Sequence, residues 1–353
     1  MQAFVYEALP SRVIFGIGTL SQLGHEIARM GLKRVLVLST VQQEADARAI
    51  VDAIAPASAG LFAGAVMHTP VSVTEAALTQ VAELRIDGLV ALGGGSTIGL
   101  SKAIALRTDL PQIVIPTTYA GSEMTPILGE TKDGLKTTQR SPKILPETVI
   151  YDVELTLSLP SPLSATSGVN AIAHAVEALY STDRNPIISL MAEEGISALG
   201  SALPVLVSDP LDRAARSNAL YGAWLCGSCL GAVGMALHHK LCHTLGGTFD
   251  LPHAETHTVI LPHAVAYNAR HAPDAMQRIG RALDVADAAA GLFELIAILG
   301  ARQSLRDLGM PKSGIDEAAD LAARNHYPNP RPIERSAIRA LLAHAWAGEP
   351  PQA

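Results

Sequence analysis

Short apolar runs recur through the first part of the chain: residues 34–39 (RVLVLS), 59–65, 88–92 (GLVAL) and 112–115 (QIVI). They are nearly continuous in Val, Leu and Ile. Strands buried on both faces of a parallel sheet have this composition, whereas half-exposed strands alternate apolar with polar. Between them, residues 42–55 and 73–84 carry apolar positions at helical spacing. The alternation predicts a parallel sheet covered by helices on both faces. The opening segment, FVYEALPSRVIFGIG, reads as two strands around Leu9 and Pro10. After Asp152 the texture changes, and Pro160 and Pro162 mark a boundary. Beyond it, Ala- and Leu-rich segments predict helices over residues 164–180, 190–206, 211–237, 240–244, 259–270, 274–282 and 291–308, with no convincing strand. The expected architecture is α/β plus all-α, with domains at residues 1–157 and 158–353.

Composition narrows the function classes. Hydrophobic residues make up 48% of the 353 positions and charged residues 17%, which excludes a disordered chain. The net charge of -7, with no sustained basic patch, argues against nucleic acid as a partner. The N-terminus lacks the positive region and apolar core of a signal peptide. The most apolar stretch, residues 50–66, carries Asp52 and Pro56 and is short for a membrane span. Three cysteines make no disulfide framework. A cytoplasmic protein without a membrane partner is expected. Cys226 and Cys229 form a CxxC inside an apolar helical run, where core packing is the better reading than redox chemistry.

Two segments follow strands in the α/β part. Gly93-Gly94-Gly95-Ser96-Thr97 lies between GLVAL and a helical run. Glycines let backbone approach a phosphate closely, and a helix N-terminus supplies amides and a positive dipole end. Ser96 and Thr97 could cap the helix or touch phosphate oxygens. Thr117, Thr118 and Ser122, in PTTYAGSE after QIVI, sit where open α/β sheets bind ligands. Together these suggest a phosphate-bearing cofactor on a Rossmann-like first domain, although the G-x-G-x-x-G fingerprint is absent. The strand RVLVLS ends at Ser39-Thr40, without the acidic residue that would bind the ribose 2′-OH and repel a 2′-phosphate. If that cofactor is a dinucleotide, a 2′-OH or a 2′-phosphate is expected to be accepted, unless a residue such as Glu44 restores selectivity.

The helical part carries the second signal. Seven of the 12 histidines lie between residues 238 and 271. Asn170 and His174 are spaced i, i+4, so on a helix they share a face about 6 Å apart along the axis. His239 and His243 repeat that spacing, and His253 follows in a loop-like PHAETH segment. These residues predict one shared site. His238 would point roughly 100° away from His239. His25, His68, His271 and His344 read as surface residues.

The motifs LGGGST, PTTYAGSE, VIYDVEL, GVNAIAHAVEALYS and HHKLCHTLGGTFDLPHAETHTVILPHAVAYN resemble the iron-containing alcohol dehydrogenase family over nearly the whole chain. The resemblance implies a dehydroquinate synthase-like architecture and a homodimer. It places the family's metal set at Asn170, His174, His239 and His253, a catalytic or proton-relay histidine at His243, and a lysine reaching the nicotinamide or substrate at Lys136. Where many NAD-selective relatives have an aspartate, this chain has Thr40. One departure stands out: the family's metal set begins with an aspartate, and here Asn170 replaces it. With the TTYAGSEMTPILGET segment, this looks like the branch of the family that reduces maleylacetate without a required metal.

That branch's chemistry suits the residues. An alcohol dehydrogenase needs a Lewis acid to stabilise an alkoxide. Hydride addition to an enone places charge on an enolate, which histidine donors can stabilise without a metal. A small dicarboxylate substrate would be met by His174, His239 and His253, with Asn170 beside them, and His243 would transfer the proton. The expectation is an oxidoreductase using NADH or NADPH, with no metal required. The alternatives are a metal-dependent alcohol dehydrogenase and a metal-dependent lyase of the 3-dehydroquinate synthase type.

Overall fold

The computed structural model describes residues 4–9, 11–324 and 326–352, with the side chain of Lys136 excepted. The chain forms two compact units, Ala8–Leu159 and Pro160–Ala353, and the opening residues through Glu7 group with the second.

In the first unit the strands are β1 (Arg12–Gly16), β2 (Val35–Leu38), β3 (Ser58–Phe62), β4 (Gly88–Gly93), β5 (Gln112–Pro116), β6 (Ile127–Lys132), β7 (Leu135–Arg140) and β8 (Thr148–Asp152). Its helices are α1 (Leu23–Arg29), α2 (Glu44–Ala53), α3 (Val71–Glu83) and α4 (Gly95–Thr108). Six strands make a parallel sheet in the order β1-β8-β5-β4-β2-β3. From β2 the chain goes outward to β3, then returns to the other side of β2 as β4. That reversal opens a crevice beyond the carboxyl ends of β2 and β4, where such sheets take their ligands. Strands β2, β4 and β5 are buried throughout, which is why they read as unbroken apolar runs. Two separate apolar clusters flank the sheet, one under α1 and α2 and one under α3 and α4.

Three features of this unit differ from expectation. Residues 4–9 carry no strand, and Pro10 lies outside the described residues. Phe4, Val5 and Tyr6 are exposed, so their alternation finds no neighbouring ladder to stabilise it. The antiparallel hairpin β6–β7 was not anticipated. Its two-residue turn, Asp133-Gly134, has positive φ at both positions (52° and 77°), which is what an Asp-Gly hairpin turn supplies. Strand β8, in the VIYDVEL motif, was also not anticipated as a strand.

The second unit is helical: α5 (Ser161–Tyr180), α6 (Pro186–Ser208), α7 (Arg213–Ala232), α8 (Leu237–Phe249), α9 (His253–Asn268), α10 (Pro273–Leu283), α11 (Ala288–Ile298), α12 (Gly314–Ala323) and α13 (Arg335–Ala347). Helix α6 is long and apolar enough to cross a membrane, but it packs as a core helix against α5 and α7. Cys226 and Cys229 are buried in α7.

The expected helix over residues 211–237 is broken at residues 233–236, and α7 and α8 meet at 93°. The expected helix over 291–308 stops at Ile298. Gly300 takes φ 64°, its N–H bonds Ala297 O, and Ala301 N–H bonds Ile296 O. This pair of bonds is the Schellman stop that glycine permits. Helices α12 and α13 were not anticipated.

Candidate active site

In the α/β unit, β4 ends at Gly93 and α4 begins two residues later. Gly93 has φ 148°, and a Cβ there would meet Thr97 Oγ1 at 2.5 Å and Gln43 Oε1 at 2.9 Å. A Cβ on Gly94 would meet Thr118 Oγ1 at 2.8 Å. The protein's own packing therefore requires these two glycines. Gly95 is different: it is exposed, and a Cβ there would meet nothing within 4 Å. That open ground at the first residue of a helix is what an approaching phosphate needs.

Ser96 and Thr97 do not cap α4, because both lie inside its first turn and the N-cap is Gly94. Thr97 is buried and its hydroxyl has no partner.

The loop after β2 places Ser39 in the interior, its N–H on Phe62 O at 3.0 Å, its carbonyl accepting from Ala65 N–H at 3.1 Å, and its hydroxyl unpartnered. Thr40 is half-buried at the start of a short 3-10 turn. Gln43 was missed by sequence reasoning. Its Nε2 donates to Thr117 Oγ1 at 3.0 Å, and Thr117 N–H bonds Gly93 O at 3.2 Å. The loops after β2, β4 and β5 are thus tied together. Glu44, one residue on, is engaged by Arg48.

The loop after β5 carries Thr117, Thr118 and Ser122, of which Thr117 is buried and the other two half-buried. It is held from α4 by Lys102, also missed. Lys102 Nζ donates to Ser122 O, to Thr125 O at 2.7 Å, to Thr125 Oγ1 at 2.9 Å and to Ile127 O at 3.0 Å. Burial pulls its ammonium down to about 7, against the attraction of Glu123. Tyr151 donates to Glu123 Oε1 at 2.7 Å, and burial pushes both groups' pKa values up. Lys136 belongs to β7, and its side chain lies outside the described residues.

In the helical unit, α5, α8 and α9 bring the histidines together. Asn170, His174 and Glu177 lie on α5, one turn apart, and all three are buried. Glu177 Oε2 accepts from Ala236 N–H at 2.8 Å, and Oε1 accepts from His238 N–H at 2.7 Å. These bonds satisfy amides at the start of α8, just after the break at residues 233–236. His239 Nδ1 lies 2.7 Å from Glu177 Oε2. The His239 and His174 rings stack at 5.2 Å. Asn170 Oδ1, His174 Nδ1 and His239 Nε2 are buried without a hydrogen-bond partner.

His243 and His253 are exposed members of the same cluster. His243 lies one turn from His239, with rings 6.2 Å apart. His253 begins α9 instead of lying in a loop, because Pro252 serves as the N-cap. His257, which sequence reasoning missed, packs on His253 at 4.4 Å and on His239 at 5.0 Å.

His238 is buried, and its Nε2 lies 2.9 Å from His257 Nδ1. Its direction away from the His239 face delivers it to α9, not to solvent. Ligand atoms of His238, Cys242 and His257 lie within 4.8 Å of one another. The imidazole–imidazole hydrogen bond accounts for that closeness. Burial first, and neighbouring imidazoles second, hold His174, His238 and His257 well below the usual histidine pKa. His25, His68 and His271 are exposed and His344 is half-buried.

A glycine-rich turn leading into a helix in one unit and a buried imidazole cluster in the other have counterparts in known proteins. The profile of the iron-containing alcohol dehydrogenases matches residues 10–153, and the profile of that family's C-terminal domain matches residues 164–346. The chain belongs to the iron-containing alcohol dehydrogenase family. It is an oxidoreductase. A maleylacetate reductase of Burkholderia cepacia is 58% identical over 99% of this chain and 100% of its own length. One from Sphingobium indicum is 57% identical over 99% of both chains. The crystal structure of maleylacetate reductase from Agrobacterium tumefaciens superposes with a TM-score of 0.97 at 57% identity, covering 99% of this chain and 100% of that one.

Proposed function

We propose that this protein reduces the conjugated carbon–carbon double bond of maleylacetate, giving 3-oxoadipate, with NADH or NADPH as hydride donor. The observation that carries this reading is Asn170. It puts a neutral amide at the position where the resemblance expects the aspartate of the metal set, inside a buried group of neutral donors. The relatives described above are maleylacetate reductases, which supports the same reading.

A bound nicotinamide would supply a hydride, which is needed at the alkene carbon β to the ketone. The alkene electrons move to the ketone oxygen, leaving an enolate. A proton then adds to the neighbouring carbon and restores the ketone. His243 is exposed and can exchange its proton with water, so it supplies that proton. His253, exposed in the same cluster, donates to a substrate carboxylate. Gly95 leaves space for the cofactor's pyrophosphate at the start of α4.

The family's name implies iron. Asn170 Oδ1, His174 Nδ1 and His239 Nε2 are unpartnered and buried, so in kind they fit a divalent cation, which they and His253 would hold. Such a cation would supply Lewis acidity toward a carbonyl oxygen. With no carboxylate in the set, its binding is weak, because amide oxygen is a poorer donor than carboxylate. We read turnover as not requiring it.

Oxidation of NADH with maleylacetate, with and without a chelator, tests the reading. Most activity should survive metal stripping. Loss on chelation and recovery with zinc or iron would instead make the protein a metal-dependent enzyme. Asn170→Asp should raise the divalent-cation content measured by elemental analysis, and unchanged content would count against the role given to Asn170.

Cofactor choice follows from Thr40. With no acid at that position and Glu44 engaged by Arg48, NADPH should support turnover within about an order of magnitude of NADH. Comparison of kcat/KM for the two cofactors checks this. We expect a homodimer acting in the cytoplasm, and sedimentation equilibrium measures the first.

A further inference from the structure

The Glu177 carboxylate does two tasks with one position. It accepts two backbone N–H groups at the start of α8, and it contacts His239 Nδ1 at 2.7 Å. A carboxylate that receives hydrogen bonds on both oxygens at a helix N-terminus is set up as an acceptor, and the positive end of the helix dipole favours that form. Its third neighbour, His239 Nδ1, must then be the donor. The nitrogen not bonded to the carboxylate is Nε2, which is buried without a partner.

We propose that Glu177 is a positioning residue that fixes the His239 tautomer, with the hydrogen on Nδ1 and a bare lone pair on Nε2. His239 is then an acceptor in the site, as is the unpartnered Asn170 Oδ1. A pair of acceptors takes a ligand that brings its own hydrogens or positive charge, such as a water molecule, a carboxylic acid O–H or a cation. A bare carboxylate would meet lone pair against lone pair. A carboxylate of a dianionic substrate is therefore held by the exposed His253, and the carboxylate-donor role that the sequence suggested for His239 is revised. This division of labour rests on the proposed dicarboxylate substrate, whereas the tautomer does not.

Replacement of Glu177 by glutamine separates positioning from mere support. The amide has one acceptor and one donor end, so it cannot accept from all three N–H groups. With its oxygen at the Oε2 position the amide keeps Ala236 N–H and His239 Nδ1–H and turns its NH₂ on the His238 amide; with its oxygen at the Oε1 position it keeps His238 N–H and turns its NH₂ on His239 Nδ1, which admits a hydrogen on Nε2. Long-range ¹⁵N–¹H correlation spectra of the ¹⁵N-histidine-labelled, substrate-free protein read the tautomer directly, with His239→Gln identifying the resonance.

The wild type should show Nδ1–H and bare Nε2 alone, and Glu177→Gln should show a mixture in which the Nε2–H tautomer appears. The variant's kcat should fall about 10–100-fold, the usual size for loss of a carboxylate behind an active histidine, while NADH affinity is kept. Glu177→Asp, which keeps the carboxylate, should retain the wild-type tautomer and recover part of kcat. A wild-type His239 carrying its hydrogen on Nε2 would overturn the proposal, as would a Glu177→Gln protein with unchanged tautomer and kcat. If that variant does not fold, the wild-type spectrum decides by itself. Failure of maleylacetate as a substrate would leave the tautomer result standing, so the two readings fail separately.

Discussion

His243→Ala should lower kcat by about 10²–10⁴-fold, the range over which general acid catalysis is typically felt. His243 is exposed, lies one turn from His239 on α8, and belongs to a cluster in which burial holds His174, His238 and His257 well below the usual histidine pKa. Neutral His174, His238 and His257 are poor reservoirs for a proton that must be replaced from water in every cycle. An exposed imidazole is not, since the solvent recharges it. The substitution removes an exposed side chain, so fold and NADH binding should both survive. Steady-state kinetics across neutral pH provide the test. A variant with wild-type kcat would make His243 a bystander and move the proton donor to His253 or to bound water.

Gly95→Val should raise the dissociation constant of NADH by at least about tenfold, which is about 1.4 kcal/mol, with little change in thermal stability. The two halves of this expectation come from one observation. A Cβ at Gly95 meets nothing in the protein, so whatever the valine disturbs has to be the ligand. Valine at Gly93 or Gly94 would be a poor test, because it would strike Thr97 and Gln43, or Thr118, whether or not a cofactor binds there. Fluorescence titration of NADH alongside thermal unfolding separates the outcomes. Unaltered affinity with an intact fold would remove the phosphate from the start of α4.

The glycine-rich turn between β4 and α4 and much of the imidazole cluster were legible in the chain because their signals are local. Of the three consecutive glycines, Gly93 and Gly94 answer to packing against Thr97, Gln43 and Thr118, and Gly95 alone leaves open ground. The i, i+4 spacing of Asn170 with His174, and of His239 with His243, survives in the structure because both pairs do lie on helices. His257 was within reach by the same rule, one turn beyond His253. Reading PHAETH as a loop hid it, since Pro252 looks like a helix breaker and serves as the N-cap.

Glu177 could not be read in this way. Its partners lie about 60 residues ahead, and they exist only because the chain breaks at residues 233–236 and turns α8 back toward α5. The expected helices over residues 211–237 and 240–244 put the break at 238–239, too late in the chain to bring the Ala236 and His238 amides to Glu177. Lys102 is similar. It stands in a helical run, and nothing local says that carbonyls from a later loop will converge on its ammonium.

The three cysteines offer a built-in gauge of conformational opening. Cys226, Cys229 and Cys242 are all buried, and burial raises the pKa of each thiol, so alkylating reagents should find almost no thiolate in the native protein. Cys242 shares α8 with His239 and His243, whereas Cys226 and Cys229 sit in α7. Labelling at Cys242 therefore times the exposure of the helix that carries the cluster, and labelling in α7 times the opening of its neighbour. A histidine variant that loses turnover while its Cys242 stays as slow to alkylate as the wild type has lost chemistry, not structure.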